Sequence, residues 1–338
     1  MTAPRPAAAA EPPLLAGPLA SLVGELADGA RVLGWSEGVH LRAEYLRARN
    51  AVVRHLVERH GLRVLAAETH FALSRAADAH IRGLGPDDPG PAAVRGVWSW
   101  SRAPLADNLA LLRGLRRHNA GLPPDEQVRF YGLEMYGGPA DGIAPDGRAF
   151  DDPDDLRHAA RLRRRLAEHR AAGGDHRDTA VRDAAQYLTL QEVARRHADG
   201  TILLFEQVEH LDPRVPGSLG ARLAQGGLGH YRAVGAVWHD GDPTVRYPLG
   251  RYRDLSRRLQ EHVDARTPVP LAAPAGTVVV DLRPYAAPAS PSPDSPDAPL
   301  GDAATAFHAV LHAPVLTPAH PTGPSPADGA GGSAAAPA

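Results

Sequence analysis

The chain has 338 residues, 43% hydrophobic and 22% charged, enough for one large domain or two small ones with a proper core. A net charge of −2 and a pI near 6.8 give no electrostatic reason to expect nucleic acid or an acidic membrane as partner. Cysteine is absent, which excludes disulfides, thiolate metal sites and cysteine nucleophiles.

From the N-terminus, residues 1–18 are Ala- and Pro-rich and are expected to be disordered. Pro4, Pro6, Pro12, Pro13 and Pro18 interrupt any helical core that a signal peptide would need. No stretch approaches the roughly 18 apolar residues of a membrane span, so a cytoplasmic protein acting on a small molecule is expected. Apart from histidine every basic residue is arginine, and with abundant Ala, Gly and Pro this composition points to a GC-rich, actinobacteria-like genome.

Short apolar runs predict strands over Arg31–Gly34, Arg63–Ala67, Val128–Tyr131, Thr201–Phe205, Ala233–Trp238 and Thr277–Asp281, with a last one over Ala306–Leu311. Helical periodicity fills the gaps. Tyr45, Leu46, Val52, Val53, Leu56 and Val57 mark one face, and Gly61 stops it. Leu105, Leu109, Leu112 and Leu115 mark the next, which ends near Gly121. Asp154–Arg170 is Arg-rich and expected to be solvated on most sides. Arg177–His197 turns Val181, Ala185, Leu188 and Val193 inward. The Pro-rich stretch 285–302 reads as a loop, and 317–338 as a disordered low-complexity tail. The alternation predicts an α/β fold with a mainly parallel central sheet flanked by helices. The domain would span 19–316, with a helical insertion over about 83–176.

In such sheets ligands bind beyond the carboxyl ends of the strands. Four candidate strands are followed there by acids or histidines: Glu37 and His40, Glu68 and His70, Glu134, then Glu206, Glu209 and His210. Carboxylates around an imidazole raise its pKa and orient its ring, as a general base requires. Plainer roles are open to the same residues. Glu68 can cap a helix or pair with an arginine, and Glu37 can be a helix N-terminal charge. His40, His210, Glu37 and Glu68 could also ligate a metal, although no cofactor is expected. Neither H-E-x-x-H nor a glycine-rich phosphate loop is present, and a serine hydrolase of the α/β-hydrolase type is not expected.

Taken in order, these blocks resemble the erythromycin esterase family over about residues 20–315. Ser36-Glu37-Gly38-Val39-His40-Leu41 stands where that family has G-E-x-T-H-G, followed by Glu44-Tyr45 and Arg49. Val64–Glu68 resembles its second strand, and Trp98-Ser99-Trp100 to Asn119 its tryptophan-containing helix. Phe130–Glu134 resembles F-x-G-x-D with Glu for Asp. Arg177-Asp178 with Asp183 resembles R-D-x-x-M-A-E, and Thr201–His210 the strand with H-N-x-H. Ser218-Leu219-Gly220 and Tyr231–Gly235 complete the set. The departures are Ser36, Val39 and Leu41 for Gly, Thr and Gly, and Gln207 and Val208 for the His and Asn of H-N-x-H.

The resemblance implies hydrolysis of an ester or lactone of a macrolide- or polyketide-like metabolite. His40 would take a proton from water while Glu37 or Glu68 orients the ring, and Arg49 or His210 would stabilise the oxyanion. Glu44, Arg49, Trp98, Trp100, Glu134 and Gln207 would contact substrate. Two other readings keep the same pocket. One is a base-catalysed tailoring enzyme for elimination, epimerisation or cyclisation in secondary metabolism. The other is a self-resistance protein that binds a metabolite without turnover.

Overall fold

The computed structural model describes residues 14–84, 87, 105–136, 152–175, 178–238, 252, 255–257, 259, 269–270, 277–286, 298–313 and 316–319. Among these, eight strands form one sheet in the order β3-β2-β4-β1-β5-β8-β7-β6. They are β1 Val32–Glu37, β2 Val64–His70, β3 Arg129–Glu134, β4 Ile202–Gln207, β5 Tyr231–Trp238, β6 Val269–Pro270, β7 Val278–Asp281 and β8 Ala309–Ala313. The first six in spatial order run parallel, while β7 and β6 turn antiparallel at one edge. This is the expected α/β architecture.

Both faces of the sheet are covered, which is why its strands read as continuous apolar runs. Leu33, Trp35, Leu65, Ala67, Leu203 and Phe205 share a core with residues of α1 (Gly17–Asp28), α2 (Ala43–Arg59) and α4 (Ala106–Asn119). Val64, Ala66, Ile202 and Leu204 share a second core with residues of α5 (Pro153–Ala171) and α6 (Thr179–Arg196). Helix α3 (Phe71–Ile81) follows β2 directly. In α2 the acidic first turn at Glu44 and the basic last turn at Arg59 complement the helix dipole, and Gly61 leaves the helix at φ +64°.

Several expectations shift. β1, β2, β3 and β4 continue one to three residues past their last apolar side chain, so Glu37, Glu68, Glu134 and Glu206 lie in the strands rather than in loops after them. Ser36 pairs with Glu206 and Glu37 with Gln207 across the sheet. β8 begins three residues later than predicted, because Phe307 still bonds back to Ala303 at the end of the helix Ala298–Ala304. That helix, α9, occupies part of the stretch read as loop. β3 falls inside the interval set aside as an insertion, yet it is a strand of the central sheet. α5 is less solvated than its arginines suggest, since Asp155, His158, Ala159, Leu162 and Leu166 are buried. Among the described residues no helix is long and apolar enough to cross a membrane.

Candidate active site

Chain order scatters the acidic strand ends, but the sheet gathers them, because β3, β2, β4 and β1 are consecutive neighbours. Glu134, Glu68, Glu206 and Glu37 therefore line up along one edge of carboxyl ends. Gly132 makes the close approach of β3 possible. A Cβ there would meet the Thr69 and His70 carbonyl oxygens at 2.5 and 2.7 Å, where β2 carries its register shift.

His40 lies just past β1. Its Nδ1 is 2.7 Å from Glu37 Oε1, and its Nε2 is 4.0 Å from Glu68 Oε1. Gly38 lets this loop pass beneath β5, since a Cβ would run into Trp238 and the Tyr45 hydroxyl at 2.4 and 2.6 Å. His210, on the short helix α7 (Val208–Leu211), mirrors His40. Its Nδ1 is 2.5 Å from Asp183 Oδ1 and its Nε2 is 3.5 Å from Glu68 Oε1. Two imidazoles, each held at Nδ1 by a carboxylate, thus turn Nε2 toward one oxygen. Arg182 fixes that oxygen from the other side, donating to Glu68 Oε1 at 2.9 Å and to Glu134 Oε2 at 2.7 Å. The Gln207 amide donates to Glu68 Oε2 at 3.2 Å, and the Leu219 amide to Asp183 Oδ2 at 2.8 Å.

Exposure singles out one member. The side chains of Glu37, Glu68, Asp183 and His210 are 3% exposed or less, while His40 keeps 13%. Burial opposes ionisation of Glu68, but His210, His40 and Arg182 outweigh it and hold the carboxyl well below its usual range. Burial likewise opposes a charge on His210. Glu68 and Asp183 overcome it and hold the ring well above 6.5. His40 is also raised, by Glu68 and Glu37 against burial and against His210. Glu206 goes the other way. Buried beside Glu68, Asp183 and Glu134, its carboxyl is pushed well above normal, and neither oxygen has a hydrogen-bond partner. Burial therefore favours its protonated form.

Glu68, Glu206 and His210 could in principle grip a cation, since one ligand atom from each lies within 4.8 Å of the others. The guanidinium of Arg182 already occupies Glu68 Oε1, and a fixed positive charge there works against a second one. His40, Glu37, Glu68 and His210 come together as the sequence suggests. Glu44 does not join them, whereas Arg49 lies behind the site, close enough for the charge of Glu37 to act on it. Arg49 is fully buried, donates to Asn50 and Asn108, and lies 4.9 Å over the Phe205 ring. Glu44 accepts from Thr317 instead. Glu134 is fully buried, and accepts from Arg182, Gln186 and the Met135 amide. Gln207 is 7% exposed with its Nε2 lacking a partner. Trp98 and Trp100 lie outside the described residues.

His70 caps α3, accepting from the Ala72 amide. Burial lowers it to about 4, so it is a neutral structural ring. Gly34-Trp35-Ser36-Glu37-Gly38 spells G-x-S-x-G, but Ser36 is no elbow nucleophile. It lies within β1, fully buried, and donates to the Val234 carbonyl at 3.0 Å. The residue that sequence reasoning left out is Arg182; Asp183 and Glu206 were named there without a role in the site. The arginine–aspartate pair that reaches the site is Arg182-Asp183, five residues beyond Arg177-Asp178, whose aspartate caps α6. The two pairs are indistinguishable by letter; Arg182-Asp183 lies within α6.

A sequence model of the erythromycin esterase family matches residues 57–144. Solved structures share the fold. A Bacillus cereus protein is similar at 14% identity and a TM-score of 0.59, covering 89% of this chain and 91% of its own. A mutant of the erythromycin esterase EreC in its open conformation is similar at 15% identity and a TM-score of 0.56, covering 89% and 94%. A succinoglycan biosynthesis protein is similar at 13% identity and a TM-score of 0.57, covering 90% and 91%.

Proposed function

We propose that this chain, a divergent member of the erythromycin esterase family, hydrolyses an ester or lactone of a macrolide- or polyketide-like metabolite with His40 as general base. The observation that carries the reading is the convergence of two carboxylate-held imidazoles on Glu68, of which only His40 keeps an exposed edge. A buried network this rich in charge is costly to assemble as mere scaffolding, and perturbed groups of this kind cluster at functional sites.

With Glu37 on Nδ1, the basic atom of His40 is Nε2. A water on Nε2 loses its proton there as its oxygen bonds to the ester carbon, and Glu37 stabilises the imidazolium that forms. The carbonyl oxygen becomes an oxyanion. His210, whose charged form Asp183 and Glu68 favour against burial, is the donor that suits it. Collapse breaks the bond to the alcohol, and the departing alkoxide takes the proton back from His40. Gln207 cannot accept a proton at neutral pH, so a second base at that place is not part of the scheme. Its unpartnered side-chain Nε2 suits a substrate carbonyl or hydroxyl.

The test is a mass-spectrometric screen of macrolides, simple lactones and polyketide intermediates in oxygen-18 water. Label in the acid product marks hydrolysis. An isomeric product without label would support the tailoring reading instead. His40→Gln should lose at least about 10²-fold in turnover while melting like the wild type. Wild-type turnover in that variant would sink His40 as the base.

A further inference from the structure

Leu41, next to His40, has φ +64°, and it is the one positive-φ residue other than glycine among the described residues. A branched side chain avoids that region, so something outside the residue must hold it there. Residues 316–319, of which 317–319 were expected to begin a disordered tail, do so. The Ala319 amide donates to the Leu41 carbonyl at 2.9 Å, and Arg42 bridges to Pro318. The first amide of α2, that of Ala43, donates to the Thr317 carbonyl at 3.0 Å. The side chain of Arg42, at the helix N-cap, makes no capping bond, so the Thr317 carbonyl takes that place. Glu44 closes the contact by accepting from the Thr317 amide at 2.9 Å and from its hydroxyl at 2.5 Å. Leu316 and Ala319 are anchored in the core on either side, while Thr317 and Pro318 face outward.

We infer that residues 316–319 are a positioning strap for the catalytic loop: Thr317 and Ala319, with Glu44 as their partner on α2, hold Leu41 in the left-handed conformation from which His40 reaches Glu37 and Glu68. Glu44 is thus a positioning residue rather than a substrate contact. The strap acts from the far end of the chain, roughly 275 residues from the loop it holds. The inference rests on His40 being the working base, and its test is built so that the two stand or fall separately.

Two substitutions cut the strap in different places. Ala319→Pro removes the amide hydrogen given to Leu41, and Glu44→Gln weakens the grip on Thr317. Each is expected to lower kcat about tenfold, with KM changed by less than about threefold, because the loop is then disengaged in most molecules. Leu41→Gly, added to either, is expected to bring kcat back to within about threefold of wild type, since glycine adopts positive φ without the steric penalty the strap has to overcome. The second readout needs no turnover: the imidazole of His40 is titrated by NMR, with His40→Gln used to assign its signal. The groups facing that ring are Glu37, Glu68 and His210. Loss of the strap should lower its pKa toward 6.5, and Leu41→Gly should restore it.

Strap variants that melt earlier yet keep wild-type kcat and His40 titration would overturn the inference, leaving a merely structural tie. Failure of Leu41→Gly to restore either readout in chains that remain folded would also overturn it. Should the wild type hydrolyse none of the lactones screened, the hydrolase reading falls, and the NMR titration alone decides the strap.

Discussion

The imidazole of His40 is paired at Nδ1 with Glu37 and faces Glu68, and both carboxylates hold its proton more tightly than solvent does. The neutral, basic form therefore appears only as pH rises through a pKa above 6.5. Turnover should climb with pH across that midpoint in a kcat/KM profile. Glu37→Gln should move the midpoint down, because it removes both the charge and the charge-assisted hydrogen bond; an unmoved midpoint would mean that another group titrates. Leu41 permits a separate prediction. Its left-handed backbone costs about 1–2 kcal/mol, part of which glycine would return as extra freedom in the unfolded chain. Leu41→Gly should therefore cost less in denaturant melts than removal of a partly buried leucine does elsewhere, because relief of the backbone strain offsets part of the lost packing. At this scale the sequence was only half legible. Glu37, Glu68 and His210 announce themselves as polar letters ending apolar runs. Glu44 looks equally functional but accepts from Thr317, and only the direction of its side chain reveals it.

Among the elements, β3 shows how backbone contact governs the placement of charge. Glu134 can hold Arg182, and Arg182 can hold Glu68, only if β3 packs tightly against the shifted end of β2. Gly132→Ala puts a methyl into two carbonyl oxygens that cannot swing aside. A loss of about 1–3 kcal/mol is expected, together with weaker turnover, measured by urea melts and steady-state rates. The seven longer strands were readable because both faces of the sheet are buried, so each appears as an apolar run. Their last residues were not, since a hydrophobicity pattern stops where Glu37 and Glu206 begin, although the strand pairing continues through them. α3 escaped notice because its cap is His70, which no capping pattern favours. The two-residue β6 is too short to leave a signal.

Across the whole molecule, the charged cluster ties stability to pH on both sides. Glu68 is depressed in the folded state, so its contribution is present above about pH 4.5 and is lost as pH falls through its folded pKa. His210 is raised, so its contribution is complete below about pH 6.5 and is lost as pH rises through its folded pKa. Glu206 is an acid raised by burial. Its contribution to stability falls as pH rises above the ordinary carboxyl range, because the unfolded chain gives up this proton more readily than the fold does. Glu206→Gln, which imitates the protonated form, should therefore raise the melting temperature at pH 7 and above. The gain should vanish below about pH 4.5, and a pH-independent difference would show that Glu206 is ionised in the fold. The order of the strands carries a consequence for biosynthesis. β4 enters between β1 and β2, so a nascent chain that has not yet delivered residues 202–207 has to keep a gap in the middle of its sheet. Until that gap is filled His40 and Glu68 have no shared cleft, and a ribosome-released product ending before β4 should be inert however much of it has collapsed.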